Sequence, residues 1–283
     1  MLASILTEVA PSEGDREVAG RIFEIQAIAA RSYAAANLGR HRRQGFDLCD
    51  STHCQVLDLR RLSAAPWRDV ARAATARTVG IILTYRGHAA QTLFHADCGG
   101  ETSAADEVWA GAPVPYLRGR PDALPGGARH QTWRLEVAAS QIADAVARDG
   151  GPSIGRGRFR IEIPERDRAG RAGRVALTGS RTVTLRGTEF RSALSGALGP
   201  LSLRSTRFTV EERGGRFVFE GQGFGHGVGL CQTGAIARAR AGQSPREILA
   251  FYYPGTELTA GAASRPALAI PRLRPRGSGE RSP

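Results

Sequence analysis

This sequence predicts an α+β fold with an N-terminal helix, antiparallel hairpins and a smaller α/β insertion. Three observations carry that prediction. Residues 16–38 keep a helical period, and two later stretches read as strand pairs about glycine-containing turns. Strands and helices then mix without the strict alternation of βαβ units. The pattern assigns 1–130 to the first part of a core and 131–205 to a smaller α/β subdomain. It returns 206–259 to the core and leaves 260–283 as a disordered tail.

Leu2 to Val9 is a short apolar segment interrupted by Glu8, and Pro11-Ser12-Glu13-Gly14 is a loop. From Arg16 to Leu38, Val18, Ile22, Ile25, Ala29, Tyr33 and Ala36 recur at steps of three and four, so one helix face is buried. Asp15 is the expected N-cap and Gly39 the stop. Alanines at 27, 29, 30 and 34–36 leave room for another backbone. Gln55-Val56-Leu57 is strand-like, and Pro66 to Ala76 reads as a helix. Thr78 to Tyr85 and Ala89 to His95 form a hairpin about Arg86-Gly87. Pro113, Pro115, Pro121 and Pro125 mark an extended connector. Ser140 to Arg148 reads as a short helix, and Phe159 to Ile163, Val175 to Leu177 and Thr182 to Leu185 as strands. A hairpin around Arg213-Gly214-Gly215 joins Arg207–Glu211 to Arg216–Glu220. Ser244-Pro245-Arg246-Glu247 is a capping box with proline at the first helical position. Beyond Ala260 the chain is Pro, Arg, Gly and Ser, a composition that cannot build a core.

Between Gly221 and Ala235, glycines at 221, 223, 225, 227 and 229 alternate with other residues, His226 among them. Glycine at every second place removes Cβ and permits positive φ, so a backbone or a ligand can approach closely. No Gly-Lys-Ser/Thr follows and no crossover frames a dinucleotide fingerprint. A glycine-lined wall presenting His226 and the Gln232 amide suits a polar, extended ligand such as a glycan. The competing reading is a structural glycine turn around a satisfied histidine.

The formal charge is +12, and all 39 basic residues are arginine. They are scattered, without the stripe or aromatic platform of a nucleic-acid surface, so no nucleic-acid partner is expected. An acidic polymer such as a cell-wall glycan fits the charge equally well. No run approaches the ~20 apolar residues of a membrane span. No signal peptide stands in the sequence as given, and the start reads as the interior of a folded element. The expectation is a start lying upstream, and a cell-envelope or extracellular location if an export signal precedes it.

Cys49, His53 and Cys54 carry thiolate and imidazole, zinc's preferred ligands. On a helix or a strand the three would diverge, so they meet one ion only in an irregular turn, which Asp50-Ser51-Thr52 could supply. Water, Cys98 or Cys231 could complete such a site. Two thiols beside a surface histidine is the plainer alternative. Cys98 and Cys231, each next to glycine, could equally be a disulfide, extra ligands or free thiols. A nucleophile–base pair of either thiol with His95 or His226 has no flanking signature. Glu8, where an apolar segment meets a loop, stands where a carboxyl is partly desolvated and its pKa raised.

Taken in order, these pieces resemble the stage II sporulation protein D (SpoIID)/LytB family. The stretches that carry the resemblance are Ile5-Leu-Thr-Glu8-Val-Ala-Pro11, Gln26 to Ala34, Phe46 to Val56 and Phe94-His95 to Gly100. Later ones are Leu203 to Phe208, Gly223 to Ala235 and Ile248 to Gly255. The resemblance implies a SpoIID-like mixed fold and lytic transglycosylase activity on peptidoglycan glycan strands stripped of their peptides. It puts the essential glutamate on Glu8 and structural zinc on Cys49, His53 and Cys54. Its motifs and the glycine wall together make Gln26, Arg31, Tyr33, His95, His226 and Gln232 the expected substrate-binding residues. Other family members are described as modifiers of a cell-wall amidase, so a non-catalytic wall-binding role, with other cell-wall hydrolases as partners, is the alternative.

The sequence departs from the family in three places. Extra residues around Ser12 to Arg16 make Glu13 a rival for the catalytic place. Glu24 stands where a basic residue is usual, and the strands usually found before the glutamate are absent, which fits an upstream start.

Overall fold

The computed structural model of the chain describes residues 1–9, 11, 14–51, 53–148, 151–155 and 157–260. The rival Glu13 and the tail at 261–283 lie outside them. The first helices are α1 (Leu2–Glu8), α2 (Arg16–Ala36), α3 (Arg61–Ala64) and α4 (Arg68–Arg77). Strands β1 (Ile81–Tyr85), β2 (His88–Ala89), β3 (Phe94–His95) and β4 (Glu101–Thr102) follow, then α5 (Ala105–Val108) and β5 (Arg120–Pro121). The middle holds β6 (Thr132–Ala138), α6 (Ala139–Ala147), β7 (Arg160–Arg166), β8 (Ala172–Thr178), β9 (Thr182–Arg186) and α7 (Gly187–Leu198). It continues into the hairpin β10 (Phe208–Arg213) and β11 (Arg216–Gln222). The chain then runs through β12 (Leu230–Cys231), α8 (Gln232–Arg240), α9 (Pro245–Tyr252) and β13 (Glu257–Ala260). The α+β class therefore holds.

Helix α2 is the hub of one hydrophobic cluster. Asp15 caps it by accepting from the Glu17 and Val18 N–H groups, and its buried face runs from Val18 through Ile22, Phe23, Ile25 and Ile28 to Tyr33. Each fully buried large side chain contributes roughly 1.5–3 kcal/mol. The alanines do admit neighbours. The Thr92 hydroxyl donates to the Ala29 carbonyl at 2.7 Å, and the Leu83 N–H donates to Ser32 Oγ at 2.7 Å. Residues of α1, α4, β1, α8 and α9 close this cluster around α2.

A second cluster gathers Trp133, Val137, Ile142, Val175, Leu177, Phe190 and Leu194, with Phe208, Phe217 and Phe219 from the later hairpin. Sheet β10–β11–β6 and sheet β7–β8–β9 are both antiparallel, with α6 and α7 against them. The segment 206–259 thus divides between the clusters. Its aromatic hairpin packs in the second, while Val228, Leu230, Ile248, Leu249, Phe251, Tyr252 and Tyr253 pack in the first.

Two expected strands differ. Gln55-Val56-Leu57 has no strand partner, because the Val56 N–H is taken by the Glu8 carboxylate and the Leu57 N–H by the Asp50 carbonyl. The first hairpin turns at Arg86 (φ 51°) and Gly87 (φ 78°) as expected, but its second arm pairs only at His88 and Ala89. Thr92 then draws the chain onto α2, and Phe94–His95 pair in parallel with Leu230–Cys231 instead.

The glycine stretch is the seam between the clusters. Gly223, Gly225, Gly227 and Gly229 all have positive φ. A Cβ on Gly223 would lie 2.7 Å from the Asp97 carbonyl oxygen, one on Gly225 2.7 Å from the His95 Cβ, and one on Gly229 would strike the Leu93 carbonyl. Gly242 has φ 89° with open space around it, so it separates backbone strain from crowding. In urea unfolding, Gly242→Ala should cost about 1–2 kcal/mol, the left-handed penalty alone. Gly229→Ala should cost about 2–5 kcal/mol, because the Leu93 strand must also move.

Candidate active site and metal loop

Glu8 is the last residue of α1, half-buried, with the Val56 N–H donating to its Oε1 at 2.8 Å. Burial raises the carboxyl's pKa, and the Val56 hydrogen bond lowers it by less. Gln232, the first residue of α8, donates from Nε2 to the Glu8 carbonyl (3.0 Å) and to Gln26 Oε1 (3.3 Å). Gln26 is 1% exposed, and its Nε2 has no hydrogen-bond partner. Three segments distant in sequence therefore meet at Glu8, the Val56 N–H on its carboxyl and the Gln232 amide, itself joined to Gln26, on its backbone carbonyl. Chemically this is a carboxyl that burial makes readier to hold a proton than a free one.

The other expected substrate residues are placed elsewhere. Arg31 donates to the Ile81 carbonyl at 2.7 Å, tying α2 to β1. Tyr33 is buried, which pushes its hydroxyl up to about 12, and it accepts from Arg40 at 3.1 Å. His95 is buried, with Nδ1 donating to the Val228 carbonyl (3.1 Å) and Nε2 unpartnered; burial holds it neutral. His226 is half-buried, with both ring nitrogens used. Nε2 donates to the Phe94 carbonyl (3.0 Å) and Nδ1 accepts from Val228 N–H (3.1 Å). Desolvation and the nearby Arg191 and Arg171 charges push it down to about 3, so its ring is neutral. The two imidazoles lie 5.3 Å apart, with Trp109 5.1 Å from His226.

Cys49, His53 and Cys54 do meet in an irregular turn, and a residue missed in the sequence joins them. His41 Nε2 lies 3.2 Å from both His53 Nδ1 and Cys54 Sγ, and His53 Nδ1 is 3.7 Å from Cys49 Sγ. The donor atoms of all four lie within 4.8 Å of one another, a set that could hold a metal ion. The Gln44 side-chain oxygen accepts from His41 Nδ1, which leaves Nε2 free for an ion, as second-shell partners do at metal histidines. Burial pushes the Cys49 thiol up, but hydrogen bonds from Ser51 and His53 outweigh it and bring it down to about 6. Arg40, the partner of Tyr33, comes within 3.4 Å of His53, so the loop is tied to the end of α2. Cys98 and Cys231 are free thiols grouped with Asp97 and His130, not with this loop; His41 stands at the fourth place that the sequence left to water, Cys98 or Cys231.

A cavity of about 690 Å³ lies on the second cluster, lined by Trp133, Arg134, Arg166, Arg207 and Glu220 among others. None of its lining residues belongs to the Glu8 group.

The fold and site define a two-cluster α+β protein with one desolvated carboxyl at a helix end and a Cys/His loop nearby. A family model described as SpoIID, stage II sporulation protein, matches residues 1–85, and one described as a domain of unknown function (DUF8618) matches 126–229. An uncharacterized protein of Brachyspira hyodysenteriae is 30% identical over 251 residues, spanning 88% of this chain and 64% of that protein. The amidase enhancer of Bacillus subtilis is 25% identical over 297 residues, 90% of this chain and 40% of its own length. Stage II sporulation protein D of Bacillus amyloliquefaciens is 28% identical over 264 residues, 89% and 72% respectively. The SpoIID/LytB family is thus the one that the chain's first 85 residues and its named relatives match.

Because folding raises the Glu8 pKa, the native state favours the protonated form. That contribution is present below the unfolded carboxyl pKa of about 4.3 and is lost as pH rises through the folded value. Glu8→Gln keeps the acceptor for Val56 and removes the charge. Its melting temperature should exceed that of the wild type at pH 7, and the gap should close as pH falls below about 4. An equal gap at both pH values would refute the desolvation.

Proposed function

We propose that the chain is a peptidoglycan lytic transglycosylase that cleaves peptide-stripped glycan strands with Glu8 as its single acid/base group. The observation that carries this reading is the half-buried Glu8 carboxyl with a raised pKa, held by one backbone N–H beside Gln26 and Gln232. Protonated Glu8 gives its proton to the glycosidic oxygen as the C1–O bond breaks. The resulting carboxylate then takes the proton of the muramic 6-hydroxyl, whose oxygen bonds to C1 and closes the anhydro ring. The half-buried Gln232 orients the sugar beside Glu8, and the buried Gln26 holds Gln232 in place. Arg31, Tyr33, His95 and His226 act behind them, holding α2 and the glycine seam, since their polar atoms are largely engaged within the chain. Glycan lactyl carboxylates suit the basic surface. Such a substrate puts the protein at the cell wall; among the described residues no helix is long and apolar enough to cross a membrane.

Zinc at His41, Cys49, His53 and Cys54 fits as a structural ion that fixes how α2 meets the site. The donor set is two thiols and two imidazoles, with a second-shell partner on His41. Protein purified without added metal should contain zinc by elemental analysis. His41→Ala and His53→Ala should each lose one equivalent. Retention of it in both variants would rule the site out.

A second reading is favoured by the arginine-lined cavity at Trp133 and by the name of the amidase enhancer relative. In it the chain binds wall glycan, or another cell-wall hydrolase, without cutting. The test is incubation with peptide-free glycan strands and mass spectrometry of the products. Anhydromuramic ends should form, and their rate should fall about 10²–10⁴-fold in Glu8→Gln. Loss in Glu13→Gln with Glu8→Gln active would move the role to the rival. Strands pulled down uncut by the wild type would favour the binding reading.

A further inference from the structure

Away from the Cys49 loop, Asp97, Cys98, His130 and Cys231 form a second group whose donor atoms lie within 4.8 Å of one another. Cys98, Cys231 and Asp97 are all 0% exposed. Nothing in the Glu8 chemistry uses these residues.

The backbone around the two sulfurs is arranged for thiolates. Cys231 Sγ accepts from the Cys98 N–H (3.2 Å) and from the Gly234 N–H in the first turn of α8 (3.3 Å). Cys98 Sγ accepts from the Gly100 N–H at 3.4 Å, in a turn made by Gly99 (φ 77°) and Gly100 (φ 113°). Backbone N–H groups turned onto sulfur favour the anionic form, which is the form that ligates a metal. A disulfide would have little use for them.

The imidazole is oriented in the same sense. His130 Nε2 donates to the Asp122 carbonyl at 3.1 Å, which fixes that nitrogen as the N–H. Its Nδ1 then faces Asp97 Oδ1 at 2.8 Å and Cys98 Sγ at 3.9 Å. A lone pair facing a carboxylate at that distance requires a cation between or beside them, either a proton or a metal ion. Asp97 is itself held by the Gly99 and Gln131 N–H groups, at 2.7 and 3.0 Å. Outside the four, Asp122 accepts from Arg238 (2.8 Å), from Tyr252 (2.8 Å) and from the Cys98 thiol while that is protonated (3.4 Å), a proton that an ion would displace; Arg171 donates to the Cys98 carbonyl (2.6 Å). Ligands each oriented by a further partner are what metal sites show.

We propose that Asp97, Cys98, His130 and Cys231 bind a second, structural zinc ion. Two thiolates, one imidazole and one carboxylate suit zinc, and the burial of Asp97, Cys98 and Cys231 closes the site to substrate. The ion replaces the proton that His130 would otherwise carry. It clamps the Asp97–Gly100 turn and the His130 segment to the first turn of α8, where the two clusters meet.

Reduced wild-type protein, freed of metal and titrated with cobalt(II) chloride, should take up about two equivalents with thiolate charge-transfer bands. His53→Ala should keep about one equivalent with those bands. His53→Ala combined with Cys231→Ser should lose them. Serine can still accept from the Gly234 N–H, so circular dichroism should show that variant folded. One equivalent in the wild type and none in His53→Ala overturns the proposal. So does a Cys98–Cys231 disulfide found by mass spectrometry in unreduced, metal-free protein. Because the readout is metal content, it is independent of whether glycan is cleaved.

Discussion

Everything near the candidate site depends on side chains that Gly223, Gly225, Gly227 and Gly229 do not have. Their positive φ values bend the chain so that it runs against residues 93–98. Into the space at Gly227 comes the Arg171 guanidinium, almost fully buried, donating to the Cys98 and Gly225 carbonyls. Desolvation pushes Arg171 down to about 10, with the Asp167 and Cys98 charges opposing that shift, so it remains a cation. A buried cation is tolerated here because carbonyl dipoles from both sides of the seam point at it. The same seam delivers Leu230-Cys231 to Phe94-His95 and starts α8, whose first residue is Gln232. The amide beside Glu8 is thus positioned by glycines that never approach the carboxyl.

Local signals were legible in the sequence. Asp15 and Ser244 cap the helices that follow them, and the Arg86-Gly87 and Gly214-Gly215 turns sit where their residues demand. Glu8 could be singled out by its place at an apolar boundary, and its desolvation follows from that place. What failed to show were partners chosen at long range. The Val56 N–H, which breaks the expected strand, is taken by a residue 48 positions away. His41 and His130 joined no motif, because a ligand is recognised by where its loop returns. Helix α7 was missed because Gly187, Thr188 and Gly196 weaken its local pattern; Phe190 and Leu194 hold it through the second cluster.

The histidine of the glycine stretch illustrates the same division between residue type and residue role. Read alone, His226 in a Cβ-free strand invites a ligand. In the fold its two nitrogens bond the Phe94 carbonyl and the Val228 N–H, one from each side of the parallel pair it borders. A neutral imidazole accepts at one ring nitrogen and donates from the other, so it meets both backbone groups at once. It closes a short parallel ladder that would otherwise end in unpaired backbone.

The uniform use of arginine has a comparable structural side. The charge of +12 suggests a free basic surface, yet many guanidiniums are spent on backbone carbonyls. Arg21 reaches Ala239, Arg31 reaches Ile81, Arg166 reaches Gly170 and Phe208, and Arg191 reaches Leu203. Each of these carbonyls lies at the end or outside of a regular element, where the regular ladder is ending or absent. A planar group with five donors can serve two such carbonyls at once, whereas an ammonium is a more strongly hydrated point charge. Part of the positive charge therefore holds together a chain rich in glycine and in short strands. The remainder stands on outer helix faces, as at the exposed Arg68 and Arg72 of α4.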